Sequence, residues 1–592
     1  MKRATFTLVA VLILAAETAP AQVGNQQIIQ GGRQGGPPPQ GFPPRDQRPP
    51  GQPAITGTGV IRGRVFAADT GRPLRRARIM VTAPELGSEN RTTSTNADGR
   101  YEVKDLPAGR YTVAVNRSGY LRLSYGQRRP FEQGKPLQVA DRQVVDNIDF
   151  TLPRMSLITG RVFDEAGEAI SGVRVFAMRS IFFEGRRRMS PAAGGGPVAF
   201  TDDVGQYRIL GLAPGSYFVL ADMRETWTVA ENGVEQTLGY APTYFPGTTI
   251  VGDARRVAVG VGQEAGNTDL ALVPGRAASV SGVALDSQGR PMAGRTVGLV
   301  QEYRGPNFGM IGMIGQSTVA ADGSFKISNV PPGDYKVRAQ SSSDVGGATV
   351  PEAATAPVSL NGVDVDNVTL RTSAGWSVTG RITTENGEAP SIPRDRIRVF
   401  GRLVDGDTSP GPAPGPPGAA NPDSGRVRDD WTFTLSGVFG AARLGVNLPD
   451  GWAVKALLQD GRDITDAPLE LRSGETLSDV QAIVTNRVTT VTGLLTDDRG
   501  APLPDGTIIV FASEPEKWWG DSRFVRSARP DQQGRYQILG LPAGQYLAVA
   551  VDYVEDGMWN DPEYLESIRP DGQKLTLQEG DSQGISLKLV NR

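Results

Sequence analysis

The 592-residue sequence contains no cysteine and no histidine. Without cysteine the chain has no disulfides, no thiolate nucleophile and no sulfur ligand for a metal. Without histidine it has no imidazole base, no Ser-His-Asp triad and no His-ligated zinc. Carboxylate chemistry, a Lys or Tyr base and an all-oxygen calcium site stay open, but no calcium-loop pattern of alternating acidic residues is present. The sequence therefore predicts a protein that is not an enzyme and that holds no cofactor and no metal.

The chain also lacks an excess of charge of either sign. It has 62 Lys and Arg against 64 Asp and Glu, a formal net charge of −2, so we expect no general attraction to nucleic acid. Beyond the N-terminus it has no run of about 18 apolar residues, which predicts no transmembrane span in the mature chain. Its 74 Gly and 44 Pro suit soluble β domains with many turns.

The N-terminus has the pattern of a secretory signal peptide. Basic Lys2 and Arg3 precede an apolar run over Phe6–Ala16, and Ala19-Pro20-Ala21 has the spacing that a signal peptidase needs. We expect a signal peptide over residues 1–21, cleaved near Ala21, and a secreted, periplasmic or cell-surface protein. The alternative is a retained N-terminal anchor, although the run is short for a membrane span.

Residues 22–58 are rich in Gln, Gly and Pro. Such a composition cannot bury enough apolar area to offset the entropy lost on ordering. We interpret this stretch as a disordered linker that acts as a flexible tether.

One stretch, TNADGRYEVKDLPAGRYTVAV from Thr95, returns in similar form from Thr201, Val319 and Arg529. Each copy has a polar turn that ends in Gly, then alternating apolar residues, a Pro-x-Gly or Pro-Gly turn and a second alternating run. Alternation is typical of half-buried strands, and Pro and Gly favour a tight connection between them. The pattern predicts two strands joined as a hairpin in each copy.

The repeats divide the chain into five units, whose first strands contain Gly63, Gly160, Gly282, Gly380 and Gly493. We predict β-sandwich domains at 59–153, 154–275, 276–372, 373–486 and 487–592. The fourth is degenerate and carries a Pro/Gly insert at 406–425, which together with 181–197 is expected to form disordered loops. Because no stretch keeps a 3.6-residue apolar period, we expect few helices and an all-β fold.

Three pieces of the first unit resemble the carboxypeptidase regulatory-like domain. They are G-R-V-F-x-x-x-x-G-x-P at Gly63–Pro73, the turn and L-P-x-G-x-Y at Asp98–Tyr111, and D-N-I-D-F-T-L at Asp146–Leu152. The resemblance implies a prealbumin-like, seven-stranded sandwich of Greek-key type, here in a tandem array of five. It also implies a non-catalytic role, and related sandwiches include starch-binding-like modules and the B-type repeats of bacterial collagen adhesins.

A Lys-to-Asn cross-link, which the adhesin repeats can carry from a first-strand Lys, is not expected here. The matching positions are Arg64, Arg161, Val283, Arg381 and Leu494. The prealbumin-like hydrolase of purine breakdown depends on His, so the resemblance implies no such activity for this chain.

Candidate ligand-binding residues are Trp518, Trp519, Trp559 and Tyr564 of the fifth unit. Adjacent residues of an extended chain point in opposite directions, so two neighbouring Trp rings in a loop are hard to bury together. Exposed rings could stack on sugars. The alternative is that they cover the end of the sandwich, since large aromatic residues are mostly buried.

Two further features have structural interpretations. The aromatic stretch Tyr240–Gly247 is interpreted as a strap over the second unit, with a binding site as the alternative. The basic run Arg186–Arg188 is interpreted as a solvated or envelope-contacting loop.

The sequence as a whole predicts an exported, non-catalytic, multi-domain protein that binds carbohydrate, a glycan or cell-envelope polysaccharide, through loop aromatics. The first alternative is a structural spacer or adhesion stalk with a protein partner, and the second is an enzyme that uses only carboxylates.

Overall fold

The computed structural model describes residues 56–86, 90–129, 131–183, 185–192, 198–231, 233–305, 308–345, 348–405 and 424–590. The predicted signal peptide, nearly all of the linker at 22–58 and most of the insert at 406–425 lie outside these residues. The described chain is a tandem series of β-sandwiches, which confirms the predicted all-β fold class.

The first sandwich shows the plan of the series. One sheet has the strand order β4-β1-β8 with β9 also on β1, and the other has the order β3-β2-β5-β6 with β7 also on β5. Alternate residues of each strand face the space between the sheets and form one core. The strands are β1 Gly59–Ala67, β2 Arg78–Thr82, β3 Arg91–Ser94, β4 Arg100–Leu106, β5 Gly109–Asn116, β6 Leu123–Ser124, β7 Leu137–Val139, β8 Val144–Val145 and β9 Phe150–Leu152.

The predicted hairpin in each repeat is wrong. Among the described strands, β4 pairs with β1, whereas β5 pairs with β2, β6 and β7. The Pro-x-Gly connection therefore carries the chain from one sheet to the other. Leu106 and Tyr111, at its two ends, are both fully buried between the sheets, and the Tyr111 hydroxyl donates to the carbonyl of Pro107 at 2.6 Å. Tyr217, Tyr335 and Tyr546 make the same bond to the fourth residue before them.

The second and third sandwiches repeat this plan. The second has the sheets β14-β10-β20 and β12-β11-β15-β18, and the third has β26-β23-β29 and β25-β24-β27-β28. A small sheet with the order β16-β17-β22 accompanies the second sandwich. The strands of the second sandwich and of this small sheet are β10 Ser156–Phe163, β11 Arg174–Phe183, β12 Arg186–Pro191, β13 Ala199–Phe200, β14 Gln206–Leu212, β15 Gly215–Asp222, β16 Thr226–Glu231, β17 Val234–Ala241, β18 Thr243–Tyr244, β19 Val257–Val259, β20 Glu264–Ala265, β21 Leu270–Ala271 and β22 Val273–Arg276. Strands of the third are β23 Ala278–Leu285, β24 Thr296–Gly305, β25 Phe308–Thr318, β26 Ser324–Val330, β27 Gly333–Val345, β28 Ala348–Leu360 and β29 Val365–Arg371.

The fourth and fifth sandwiches complete the series. Each has its own core, and the fifth also carries the one α-helix of the described residues, α1 Pro562–Ile568. Strands of the fourth are β30 Trp376–Thr384, β31 Arg398–Leu403, β32 Thr432–Val438, β33 Ala442–Asn447, β34 Ala453–Gln459, β35 Arg462–Asp463 and β36 Thr476–Thr485. Strands of the fifth are β37 Thr490–Thr496, β38 Thr507–Ala512, β39 Val525–Ala528, β40 Arg535–Leu539, β41 Gly544–Val551, β42 Gln573–Leu577, β43 Ser582–Gly584 and β44 Leu587–Val590. The residue boundaries predicted for the five domains stay a prediction.

The glycine in the first strand of each unit, called its opening glycine below, lies where two backbone segments approach each other closely. A methyl group on Gly63 would lie 1.9 Å from the carbonyl oxygen of Ile148 in the segment before β9, and one on Gly493 would lie 1.8 Å from that of Ile585. A Cβ cannot occupy either place, so only glycine allows the closing segment to pass over the first strand. The corresponding distances at Gly160, Gly282 and Gly380 are 2.1, 1.8 and 2.1 Å.

The predicted disordered loop at 181–197 is wrong for its first part. Strands β11 and β12 form a regular antiparallel ladder from Met178–Pro191 to Phe183–Arg186. Gly185 reverses the chain with φ of 77°, a conformation that glycine adopts without strain. Residues 193–197 lie outside the described residues.

The basic run on β12 connects domains. Arg187 pairs with Asp561 of the fifth domain at 2.8 Å, and Arg186 pairs with Asp405 of the fourth. The run was predicted to be a solvated or envelope-contacting loop, and the structure gives it acidic partners in two other sandwiches instead.

Candidate functional site

The two neighbouring tryptophans pack against different hydrophobic clusters. Trp518 is 2% exposed, lies with its ring edge-on to Phe511, and donates from Nε1 to the carbonyl of Ala512 at 2.7 Å. Trp519 is half-buried against the main core of the fifth domain, with its ring 5.8 Å from that of Phe524. Trp518 directly follows the 3-10 helix Pro515–Lys517, and the two rings lie in different clusters. Because Trp518 is almost fully buried, it has no ring face open to a ligand.

The partly exposed Trp519 ring faces the fourth domain. The guanidinium carbon of Arg443, on β33, lies 4.5 Å from its centroid. This geometry is that of a cation–π contact. Arg443 also donates to the carbonyl of Asp466 at 3.1 Å, and burial lowers its pKa.

Trp559 and Tyr564 lie in the segment that covers the outer face of the fifth domain. Trp559 is in the 3-10 helix Met558–Asn560, and Tyr564 is in α1, whose start is capped by the Asp561 carboxylate accepting from the backbone N–H of Glu563 at 3.0 Å. Both rings are partly buried against the cluster that contains Trp518, Leu565 and Ile568. A cap of this kind is typical of helix starts.

A cleft of about 680 Å³ runs between the fourth and fifth domains. Its size is typical of a small-molecule site. Three tryptophans line it: Trp452 from the turn before β34, together with Trp519 and Trp559. Of the residues predicted to bind ligand, Trp519 and Trp559 are therefore brought together here, whereas Trp518 and Tyr564 are not part of the lining.

An ion pair connects the two walls of the cleft. Arg523 of the fifth domain donates to both carboxylate oxygens of Asp466 in the fourth, at 2.9 and 2.7 Å, and to the carbonyl of Val454 at 3.1 Å. Such a bidentate pair fixes orientation as well as distance. The cleft is thus a defined feature of the interface between these domains.

Two polar atoms beside the cleft have no partner within the part of the chain that the structure describes. They are Nε1 of Trp559 and Oδ1 of Asn560, one donor and one acceptor. Asn560 is only 7% exposed. Buried polar groups without a partner are rare because they cost free energy, and a ligand is one means of satisfying them.

The side chains of the cleft combine apolar ring surfaces with hydrogen-bonding groups. Tryptophan rings offer flat apolar faces for the C–H face of a pyranose, and amide, indole and guanidinium groups offer hydrogen bonds to its oxygens. The groups come from both domains, so a molecule bound in the cleft would contact both walls.

No sequence pattern indicates the half of the cleft that lies in the fourth domain. Trp452 and Arg443 stand among ordinary strand and turn residues, and only packing brings them opposite Trp519. The clustering of polar Arg and Asp residues around Trp518–Arg526 was the one local feature that could have indicated a contact surface.

The aromatic stretch of the second domain lies elsewhere. Tyr240 is 8% exposed, its ring lies 4.6 Å from that of Trp227, and its hydroxyl donates to Glu165 at 2.9 Å. Phe245 is also buried, in the core of the second domain.

Neither a metal site nor a membrane-spanning helix is found in the described residues. No group of three or more acidic side chains there could hold a metal ion. No helix there has the length and apolar character needed to cross a membrane.

Residues 60–153 match the family model of the carboxypeptidase regulatory-like domain. The first domain is therefore a carboxypeptidase regulatory-like domain, as its motifs suggested. No curated protein sequence matches the chain.

Several solved structures of low identity are similar to it. A streptococcal ancillary pilin is 13% identical, with 53% of this chain and 98% of that chain covered and a TM-score of 0.20. Two B repeat units of the collagen-binding protein of Staphylococcus aureus are 13% identical, with 73% and 100% covered and a TM-score of 0.12. A putative carbohydrate-binding protein of Pseudomonas aeruginosa is 16% identical, with 16% and 88% covered and a TM-score of 0.13. These TM-scores are too low for the similarities to indicate a function.

Proposed function

We propose that this chain is an exported, non-catalytic protein that binds carbohydrate in the cleft between its fourth and fifth domains. The observation that carries the proposal is the set of three tryptophans, Trp452, Trp519 and Trp559, that line one cleft together with hydrogen-bonding side chains. Aromatic faces beside directed polar groups suit a ligand whose two faces differ in polarity, as those of a pyranose do.

The export part of the proposal is supported by the N-terminal pattern around Phe6–Ala16 and Ala19-Pro20-Ala21. The absence of His and Cys from the whole sequence supports a binding role, since it removes the usual nucleophile and base pairs. The proposed partner is a glycan or cell-envelope polysaccharide.

The test is a glycan array on the full mature chain, followed by calorimetric titration with the best oligosaccharides. We expect Trp519→Ala and Trp559→Ala each to weaken binding about tenfold, a change of about 1.4 kcal/mol. Trp227→Ala is the matched control, because it removes a half-buried indole from the second domain, far along the chain from the cleft. Binding that all three variants retain would contradict this site.

The array also separates the alternative function. A spacer or adhesion stalk with a protein partner would bind no glycan at any concentration tested, and the cleft substitutions would change only the stability of the contact between the fourth and fifth domains.

A further inference from the structure

Arg526 lines the cleft without a carboxylate partner. It lies on β39, is half-buried, and donates from Nη1 to the carbonyls of Ser522 at 2.9 Å and Val525 at 2.8 Å. Within the described residues it makes no ion pair, which leaves Nε and Nη2 for a ligand. These two nitrogens present the edge that a guanidinium uses to hold a carboxylate through two parallel hydrogen bonds.

Two of the three aspartates that line the cleft are engaged by other arginines, and the third, Asp450, lies in the turn before Trp452. Asp466 is held by Arg523 at 2.7 Å, and Asp521 lies 3.7 Å from the guanidinium of Arg402. Burial lowers the pKa of Arg526, the charges of Arg402 and Arg523 act in the same direction, and the charge of Asp521 acts in the opposite direction. A guanidinium remains protonated under such conditions, so the cleft holds a positive charge that its own residues leave without a direct counter-charge.

Two unsatisfied polar atoms lie beside the same cleft. Strand β39 packs near the 3-10 helix Met558–Asn560, which carries the Trp559 Nε1 donor and the Asn560 Oδ1 acceptor. Trp519 lines the same cleft with the Arg443 guanidinium 4.5 Å from its ring centroid, and Trp452 supplies a second indole from the wall formed by the fourth domain. A sugar would thus meet an apolar face, one neutral donor, one neutral acceptor and one cation.

We propose that the glycan bound in this cleft is acidic, with a ring carboxylate held by Arg526 while a hydroxyl donates to Asn560 Oδ1 and the ring stacks on an indole. This inference rests on the proposed function, because it names the ligand class of that same site. A uronic acid residue has the required carboxylate, hydroxyls and pyranose face.

The test compares ligands that differ only in charge. Oligogalacturonide and its fully methyl-esterified form are titrated into the full chain by calorimetry, and oligomers of guluronate, mannuronate and glucuronate are tested in the same way against their esters. We expect at least one acidic oligomer to bind about tenfold or more tightly than its own ester, and the difference to shrink as salt is raised.

Variants of Arg526 assign the preference to this residue. We expect Arg526→Gln to abolish the preference for the acid over its ester. Arg526→Lys keeps the charge but loses the planar guanidinium, so we expect it to retain only part of the preference. Arg499→Gln removes an exposed positive charge from the same domain, outside the cleft, and is expected to leave the preference unchanged. Thermal unfolding of each variant shows whether the fifth domain is still folded. If Arg526→Gln is unfolded, the affinities of Arg526→Lys for acid and ester are compared with those of the wild type instead.

The outcomes separate this inference from the proposed function. If neutral glycans bind as tightly as acidic ones and binding still depends on Trp519 and Trp559, the acidic ligand class is overturned while the site stands. If the preference for acid survives Arg526→Gln in a folded protein, the assignment to Arg526 is overturned. If no glycan of either kind binds, both proposals fail together.

Discussion

Arg529 of the fifth domain and Glu132 of the first form a buried ion pair, with 2.6 Å between guanidinium nitrogen and carboxylate oxygen. The two side chains are 1% and 4% exposed. Arg529 also donates to the carbonyl of Gln133 at 3.0 Å, and a second pair, Lys135 with Asp505, lies beside it at 2.5 Å. The first and last sandwiches of the series are therefore in direct contact.

Glu132→Gln should destabilise this contact, because it leaves the buried charge of Arg529 without a counter-charge. We expect a loss of about 3 kcal/mol in the free energy of unfolding, measured by chemical denaturation of the full chain. The double variant Glu132→Gln/Arg529→Met should recover much of the loss, since it removes both charges. Glu102→Gln, in a solvent-exposed pair with Arg62, is the control and should change stability far less. If Glu132→Gln and Glu102→Gln lowered the free energy of unfolding equally, burial of the ion pair would not explain the loss of stability.

Gly493→Ala should unfold or severely destabilise the fifth domain. The new methyl group would lie 1.8 Å from the carbonyl oxygen of Ile585, so the closing segment would have to move away from β37. We expect a loss of about 3 kcal/mol or more. Gly584→Ala, in the same domain and one residue from Ile585, meets nothing within 4 Å and is the matched control. Differential scanning calorimetry measures both, and a wild-type transition in Gly493→Ala would show that the backbone crossing is not rigid.

Tyr101→Phe should cost only about 1 kcal/mol. The Tyr101 hydroxyl donates to the carbonyl of Ile148 at 2.6 Å, the same carbonyl that lies over Gly63. The third and fourth domains have Phe325 and Phe433 opposite their opening glycines, so the plan of the sandwich does not require the hydroxyl. The free energy of unfolding from urea denaturation measures the loss. Tyr125→Phe provides the comparison of an exposed hydrogen bond with a buried one, because its ring packs beside the same core and its hydroxyl accepts from Gln532 at 2.9 Å in an exposed position. A loss as large as that of Gly493→Ala would contradict this ranking.

The protein should unfold in alkali. Burial raises the pKa of Tyr111 and Tyr217 to about 12, and it also raises the pKa of Tyr101, Tyr207 and Tyr536. Since the folded-state pKa lies above the unfolded value of about 10, this contribution to stability is complete below pH 10 and is lost as pH rises toward the folded-state pKa. Circular dichroism and phenolate absorbance followed together should show the buried tyrosines ionising only as the β signal disappears. Full ionisation near pH 10 with an intact β signal would be the contrary result.

The fold class could be predicted from the sequence because its determinants are local and repeated. Alternating residues such as Tyr111, Val113 and Val115 specify strands with one buried face, and glycines such as Gly63 and Gly99 mark positions where a side chain would collide or where φ is positive. The pairing of the strands was harder to predict from the sequence. A Pro-x-Gly connection can either close a hairpin or lead from one sheet to the other. Here it leads to the other sheet, because Leu106 and Tyr111 are buried on strands of facing sheets.

The candidate site could be predicted only in part. Trp519 and Trp559 were recognisable as unusual residues, but whether a ring is buried depends on what packs over it, and Leu565 and Ile568 of α1 lie in the cluster that buries Trp518. The partners from the fourth domain were beyond sequence reasoning, since nothing local relates Arg443 to Trp519.

The sequence by itself determined that this chain forms repeated β-sandwiches, because strand alternation, the opening glycine and the tyrosine that bonds back to its own turn act within one unit of about a hundred residues. Only the tertiary structure decided which units touch and where a cleft is left between them. Pairs such as Arg529 with Glu132 and Arg523 with Asp466 join residues of different domains, and the free energy of such contacts depends on burial and geometry that no single stretch of sequence contains.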